Sequence, residues 1–202
     1  MAAATASQLN SDIAAGYAAE KKAEHASRIT HPDGTTTWYV SAGTGSPDGR
    51  VAVNEFLPLN LSIRSGDAVV WRPQAINEFH SVTFAPGGLS SDFVPLCEGS
   101  AGDTPAMPNT WPTNGPLDYH CGQSALPDEV ELGGGDGVRN LSLAGQTSDS
   151  GLFASRTERG ALGLPTGSIF SRWSVSFVGA APGSFSYVCQ VHFGMTATIE
   201  VH

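Results

Sequence analysis

The 202-residue chain predicts an all-β domain, preceded by one helix and interrupted by a long loop-rich insertion. Three observations predict it. Charged residues make up only 14% of the chain while Gly and Pro number 24 and 13, a balance that suits short strands joined by tight turns better than a helical bundle. From residue 36 onward apolar side chains recur with period two, the spacing that puts alternate residues on opposite faces of a sheet. Only one stretch, near the N-terminus, has helical composition.

That stretch is residues 8–28, QLNSDIAAGYAAEKKAEHASR, with Ser11 or Asp12 as the cap and Ala, Glu and Lys dominating the remainder. Its apolar face is thin: Ile13, Tyr17 and alanines. The helix is expected to lie against the domain rather than inside it, with a tether to a membrane or partner as the other reading.

Strands come next at Thr36–Ser41, Arg50–Phe56, Leu59–Arg64, Ala68–Arg72 and Ser81–Phe84, with Ser65-Gly66-Asp67 as a turn between two of them. A second β block begins near Ser168. In it Trp173, Val175 and Phe177 alternate, then Phe185, Tyr187 and Cys189, and last come residues Thr196–Val201. Between the blocks, at about 86–165, the chain is rich in Gly, Pro, Asp and Ser and shows no internal repeat, which marks an insertion rather than a second domain. The expected organisation is an N-terminal extension over 1–35 and a single domain over 36–202 that carries the insertion.

Composition excludes some functions. A net charge of −9 with ten scattered Lys and Arg leaves no basic stripe to neutralise a phosphate backbone, so nucleic acid is not an expected partner. No stretch approaches the roughly 20 apolar residues of a membrane span, and the Ala-rich start lacks a signal peptide's apolar run. Met1 followed by Ala, Thr and Ser reads as an initiator placed before a mature N-terminus whose export signal was removed. Any membrane association would then run through that removed segment or the N-terminal one.

The three cysteines are Cys97, Cys121 and Cys189, and an odd number leaves at least one thiol for other work. A disulfide between Cys97 and Cys121 would staple the long insertion, which is costly to order otherwise. It would imply an oxidising compartment, periplasmic or extracellular, and would leave Cys189 free.

Chemistry concentrates in Ser186-Tyr-Val-Cys-Gln-Val-His-Phe-Gly-Met-Thr-Ala-Thr-Ile-Glu-Val201, which spaces Cys189, His192 and Met195 three residues apart between two strands. A tight loop there can turn thiolate, imidazole and thioether onto one point. That soft donor set suits copper, and a trigonal site of two His and one Cys with a long axial Met is the electron-transfer arrangement. The second imidazole falls to His80, at the head of the strand Ser81-Val-Thr-Phe84. Each of the four also has an ordinary reading, as a buried thiol, a core methionine or a strand-end histidine.

In these residues the chain resembles the cupredoxin family, in particular the plastocyanin and amicyanin branch with its Cys-x2-His-x2-Met loop. Phe56-Leu-Pro58, Leu61-Ser-Ile-Arg-Ser-Gly-Asp-Ala-Val-Val-Trp71 and Pro182-Gly-Ser-Phe-Ser-Tyr187 extend the likeness, which covers residues 50–85 and 168–201. Where the family carries Asn after the first histidine, this chain has Ser81. The resemblance implies a Greek-key β-sandwich with one Cu(I)/Cu(II) ion held by His80, Cys189, His192 and Met195. It also implies a carrier of single electrons, with no small-molecule substrate, whose redox protein partners dock near His192, beside Phe193 and the Leu57-Pro58 turn.

Rival readings use the same residues differently: a copper delivery or storage protein, a copper-binding subunit of a larger oxidase or reductase, or a hydrolase with Cys189 as nucleophile and His192 as base. The remaining histidines, His25, His31, His120 and His202, read as exposed, although His120 beside Cys121 could bind metal if no disulfide formed. The acidic run of Asp128, Glu129 and Glu131, with Asp136, reads as a solvated face that could steer a basic partner.

Overall fold

The computed structural model of the chain describes residues 6–75, 78–84, 139–146, 148–150, 153–155, 171–192 and 194–202. Cys97, Cys121, His120, the acidic run and Phe193 lie outside these residues. One helix and twelve strands are found among them: α1 (Ala6–Ala23), β1 (Ser27–Thr30), β2 (Thr36–Gly45), β3 (Ala52–Leu57), β4 (Asn60–Ile63), β5 (Ala68–Pro73), β6 (Phe79–His80), β7 (Thr83–Phe84), β8 (Ser148–Asp149), β9 (Phe153–Ala154), β10 (Trp173–Ser176), β11 (Gly183–Val188) and β12 (Thr196–Val201).

The strands form two five-stranded sheets and a small pair. In the first sheet the order is β1-β2-β5-β10, with β3 also paired to β2; in the second it is β4-β12-β11-β7-β8; β6 pairs with β9. Both sheets are mixed, since β5 runs parallel to β2 and β4 parallel to β12 while the other pairs are antiparallel. The chain crosses between the two five-stranded sheets from β3 to β4, β4 to β5, β5 to β7, β8 to β10 and β10 to β11.

Alternation decides which faces meet. Leu61 and Ile63 of β4, Phe185 and Tyr187 of β11, and Ile199 and Val201 of β12 are buried against Val69 and Trp71 of β5 and Trp173 and Val175 of β10, forming one core. Trp71 stands at its centre, with its ring centroid 5.3 Å from Tyr187, 5.8 Å from Phe84 and 5.2 Å from Trp173. The Tyr187 and Phe84 contacts are edge-to-face, a packing that adds to the burial energy of the rings.

The Ser65-Gly66-Asp67 turn is where expected, and its conformation has a cause. Gly66 takes φ +100°, open to a residue without Cβ. The buried Asp67 carboxylate accepts from Thr36 N at 2.8 Å, Trp38 Nε1 at 2.9 Å and Arg64 N at 3.0 Å, tying the turn to the start of β2.

Several expectations are corrected. The helix ends at Ala23 rather than residue 28, and Ser27–Thr30 forms an edge strand on β2. Helix α1 does pack on β2 and β3, but through Gly16 and Ala23; Ile13 and Tyr17, expected to make its apolar face, are 49% and 69% exposed. The helix comes close at Gly16, where an added Cβ would lie 3.1 Å from the Val51 side chain. The strand expected over Ser81–Phe84 is two short pieces, with His80 in β6 and Thr83–Phe84 in β7. Within the span assigned to an insertion, Ser148–Asp149 and Phe153–Ala154 are strands that pair with β7 and β6.

Replacing Trp71 with Ala should lower stability by about 3–5 kcal/mol, read from the denaturant midpoint, because it empties a fully buried indole site at the centre of the core. Ile29→Ala, on the exposed face of β1, should change it by less than about 0.5 kcal/mol.

Candidate metal centre

Cys189 and Met195 are the first and last residues of the loop between β11 and β12. The ladder pairs Val188 with Thr196, so the seven-residue loop leaves and re-enters one antiparallel pair. Cys189 N donates to Met195 O at 2.9 Å and Met195 N to His192 O at 3.2 Å, closing the loop on itself; Gly194, at φ +80°, makes the return. This local closure brings the 189, 192 and 195 positions together without help from distant sequence.

His80 arrives from the other side. The donor atoms of His80, Cys189 and His192 all lie within 4.8 Å of one another. Cys189 Sγ is 3.6 Å from His192 Nδ1, and the two imidazole centroids are 4.7 Å apart. His80, Cys189 and Met195 are buried, while the His192 side chain keeps 15% exposure and is the one of the four that reaches solvent. His25, His31 and His202 are exposed and take no part.

Ser81 joins the His80 segment to the cysteine loop. Ser81 N donates to Cys189 Sγ at 3.4 Å, and Ser81 Oγ accepts from Gln190 N at 2.8 Å. Backbone and hydroxyl together clamp the segment after His80 onto the cysteine loop. That segment is held in turn by the residues of the supposed insertion: Val82 N donates to Ser150 Oγ at 2.7 Å, Ser150 N to Val82 O at 3.0 Å, and Thr83 Oγ1 to the buried Asp149 carboxylate.

Two residues that sequence reasoning did not single out shape the centre. Gly43 sits where the β2–β3 register slips, with φ +68°, and a Cβ added there would lie 2.2 Å from His80 Nε2. The first imidazole is thus seated directly on bare backbone. A glycine inside an alternating strand is a sequence signal for a bulge or a close approach, and here it is both. The other residue is Glu78, whose Oε2 lies 3.3 Å from His192 Nε2. Nothing in its local sequence separates it from a surface acid.

Electrostatics leave the metal-free site uncharged at neutral pH. Burial, and then the neighbouring His192, push His80 down from 6.5 to about 3. Burial also lowers His192, against the opposing pull of Glu78. Burial raises the Cys189 thiol, against smaller contributions from the Ser81, Val191 and His192 amides. Two neutral imidazoles and one thiol, buried together, are the chemistry of a soft, trigonal metal site: the residues fit one copper ion.

No family model matches the chain, and no curated protein matches it. Similar solved structures include auracyanin A, a blue copper protein from the green thermophilic photosynthetic bacterium Chloroflexus aurantiacus (12% identity, 84% of this chain and 100% of that one, TM-score 0.39). Another is dithionite-reduced auracyanin from Roseiflexus castenholzii (9% identity, 83% of this chain and 96% of that one, TM-score 0.39). A third is the copper-containing nitrite reductase of Thermus scotoductus, of which this chain spans only 22% (14% identity, 81% of this chain, TM-score 0.32). The His-Cys-His group is consistent with a cupredoxin. Its own donor atoms decide what the centre can do chemically.

Gly43→Ala should keep the sheet signature in circular dichroism while weakening copper binding at least about tenfold, because the new methyl group displaces His80. The metal-free protein should also lose stability in acid for a reason specific to His80. Above pH 6.5 neither state carries the proton; as pH falls from 6.5 towards 3 the unfolded chain takes up a proton that the buried ring refuses, so stability declines across that window. Urea midpoints measured from pH 7 to 4 should fall less steeply in His80→Gln than in the unaltered chain.

Proposed function

We propose that the protein is a carrier of single electrons, exported from the cytoplasm, in which His80, Cys189, His192 and Met195 would hold one copper ion. The observation that carries this reading is the convergence of one thiol and two imidazoles within 4.8 Å, in a pocket where His80 and Cys189 have no contact with water. Copper, when bound there, supplies a couple that changes by one electron.

The chain's part is to hold still and to stay dry. Cys189 is fixed by its own N–H bond to Met195 and by the Ser81 amide at its sulfur, His80 by the Gly43 bulge, and the loop by the β11–β12 ladder. Donors fixed this way would offer the same arrangement to either oxidation state of a bound copper ion. Burial excludes water and favours the less charged, reduced form. His192, at the edge of the site, is the route by which an electron would leave for a docked redox protein, and no substrate is transformed.

The rival uses of the same residues fit less well. A copper delivery protein needs donors that exchange readily, whereas His80 and Cys189 are enclosed. A hydrolytic nucleophile needs an accessible thiolate, but Cys189 is buried and its thiol is raised above the ordinary range.

Adding Cu(II) should produce an intense visible thiolate-to-copper band at one equivalent of metal, absent in Cys189→Ala. At pH 7 metal uptake should release about one proton, since the buried thiol must ionise to bind. Voltammetry should show a reversible one-electron couple, and a chelator should remove the metal slowly. Rapid removal would instead identify a delivery protein, and absence of the band would end the electron-carrier reading.

A further inference from the structure

We propose that Glu78 is a positioning residue of this centre: its carboxylate accepts a hydrogen bond from Nε2–H of His192 and so keeps the Nδ1 lone pair turned inward to the metal. The inference rests on the copper reading for its purpose, but the contact that carries it belongs to the chain alone.

The two nitrogens of the His192 ring face different neighbours. Nδ1 is 3.6 Å from Cys189 Sγ, and Nε2 is 3.3 Å from Glu78 Oε2. A neutral imidazole carries one N–H, and a carboxylate only accepts hydrogen bonds. The proton therefore sits on Nε2, and Nδ1 is left as the electron-pair donor on the side of the thiol. Protonated on Nδ1 in this orientation, the ring offers no electron pair to the site.

The pair stands at the edge of the pocket rather than in it, with the His192 and Glu78 side chains 15% and 30% exposed. At that exposure the contact adds little to folding stability. Its effect is on the ring. His80 needs no such device, because the Gly43 backbone already seats it; His192 lies on a loop and is partly open to solvent. The carboxylate also leaves a negative charge next to the metal position, which favours the more positive, oxidised form.

The test separates position from charge by comparing Glu78→Gln, whose amide oxygen still accepts from Nε2, with Glu78→Ala, which removes both. In the metal-free protein at pH 7, nitrogen shifts of the His192 ring should report Nε2–H in the unaltered chain and in Glu78→Gln, and a growing Nδ1–H fraction in Glu78→Ala. In the copper-loaded protein, release to a chelator should be about tenfold faster or more in Glu78→Ala and within about threefold of normal in Glu78→Gln. The reduction midpoint should move upward in both variants, because both lose the charge. A His192 ring already protonated on Nδ1 in the unaltered chain overturns the proposal, as does a Glu78→Ala protein whose tautomer, release rate and midpoint all stay put. If the unaltered chain takes up no copper yet shows the tautomer shift in Glu78→Ala, the positioning stands and the electron-carrier reading fails instead.

Discussion

The centre depends on one joint: the amide of Ser81 directed at the sulfur of Cys189, with the Ser81 hydroxyl taking the next amide of the cysteine loop. These two bonds fasten the segment that carries His80 to the loop that carries Cys189 and His192, across a gap of more than a hundred residues. Each bond is worth only about 1 kcal/mol, but both are buried, where an unmet donor or acceptor costs more than the bond returns. The register between the two segments is therefore tightly specified, and with it the distance between the two imidazoles.

Around that joint the sandwich acts as a frame. The aromatic group of Trp71, Phe84, Trp173 and Tyr187 fills the space between the sheets, and Tyr187 and Val188 lead straight into Cys189. The close packing that stabilises the core thus also excludes water from the cysteine side of the site. The same burial keeps all three donors uncharged before metal arrives, which spares the fold the cost of enclosing unpaired charge.

Much of this was legible in the sequence, and the misses share a physical cause. The strands around Leu61, Val69, Trp173, Phe185 and Ile199 were visible because each buries one face, so period two appears in their side chains. Strand β1 was not, because all four of its residues are exposed and no alternation marks it; the Ala, Glu and Lys preference of the preceding helix simply ran on into it. β8 and β9 are two residues long, too short for any period. In the centre, Cys189, His192 and Met195 could be grouped because they share one short loop, and His80 was reached as the histidine at the head of the Ser81–Phe84 stretch, with the family likeness in support. Glu78 and the consequence of Gly43 depend on which side chain of a distant element comes to rest there, and no local pattern encodes that.

The contribution of Ser148–Asp149 and Phe153–Ala154 bears on how this chain can be cut down. They lie inside what looks like dispensable sequence, yet one pair completes the edge of the sheet that holds β11 and the other is the sole strand paired with β6 among the described residues. A minimised protein made by splicing the two β blocks together would lose the support behind its first histidine, so any economical deletion has to rejoin the chain ahead of Ser148.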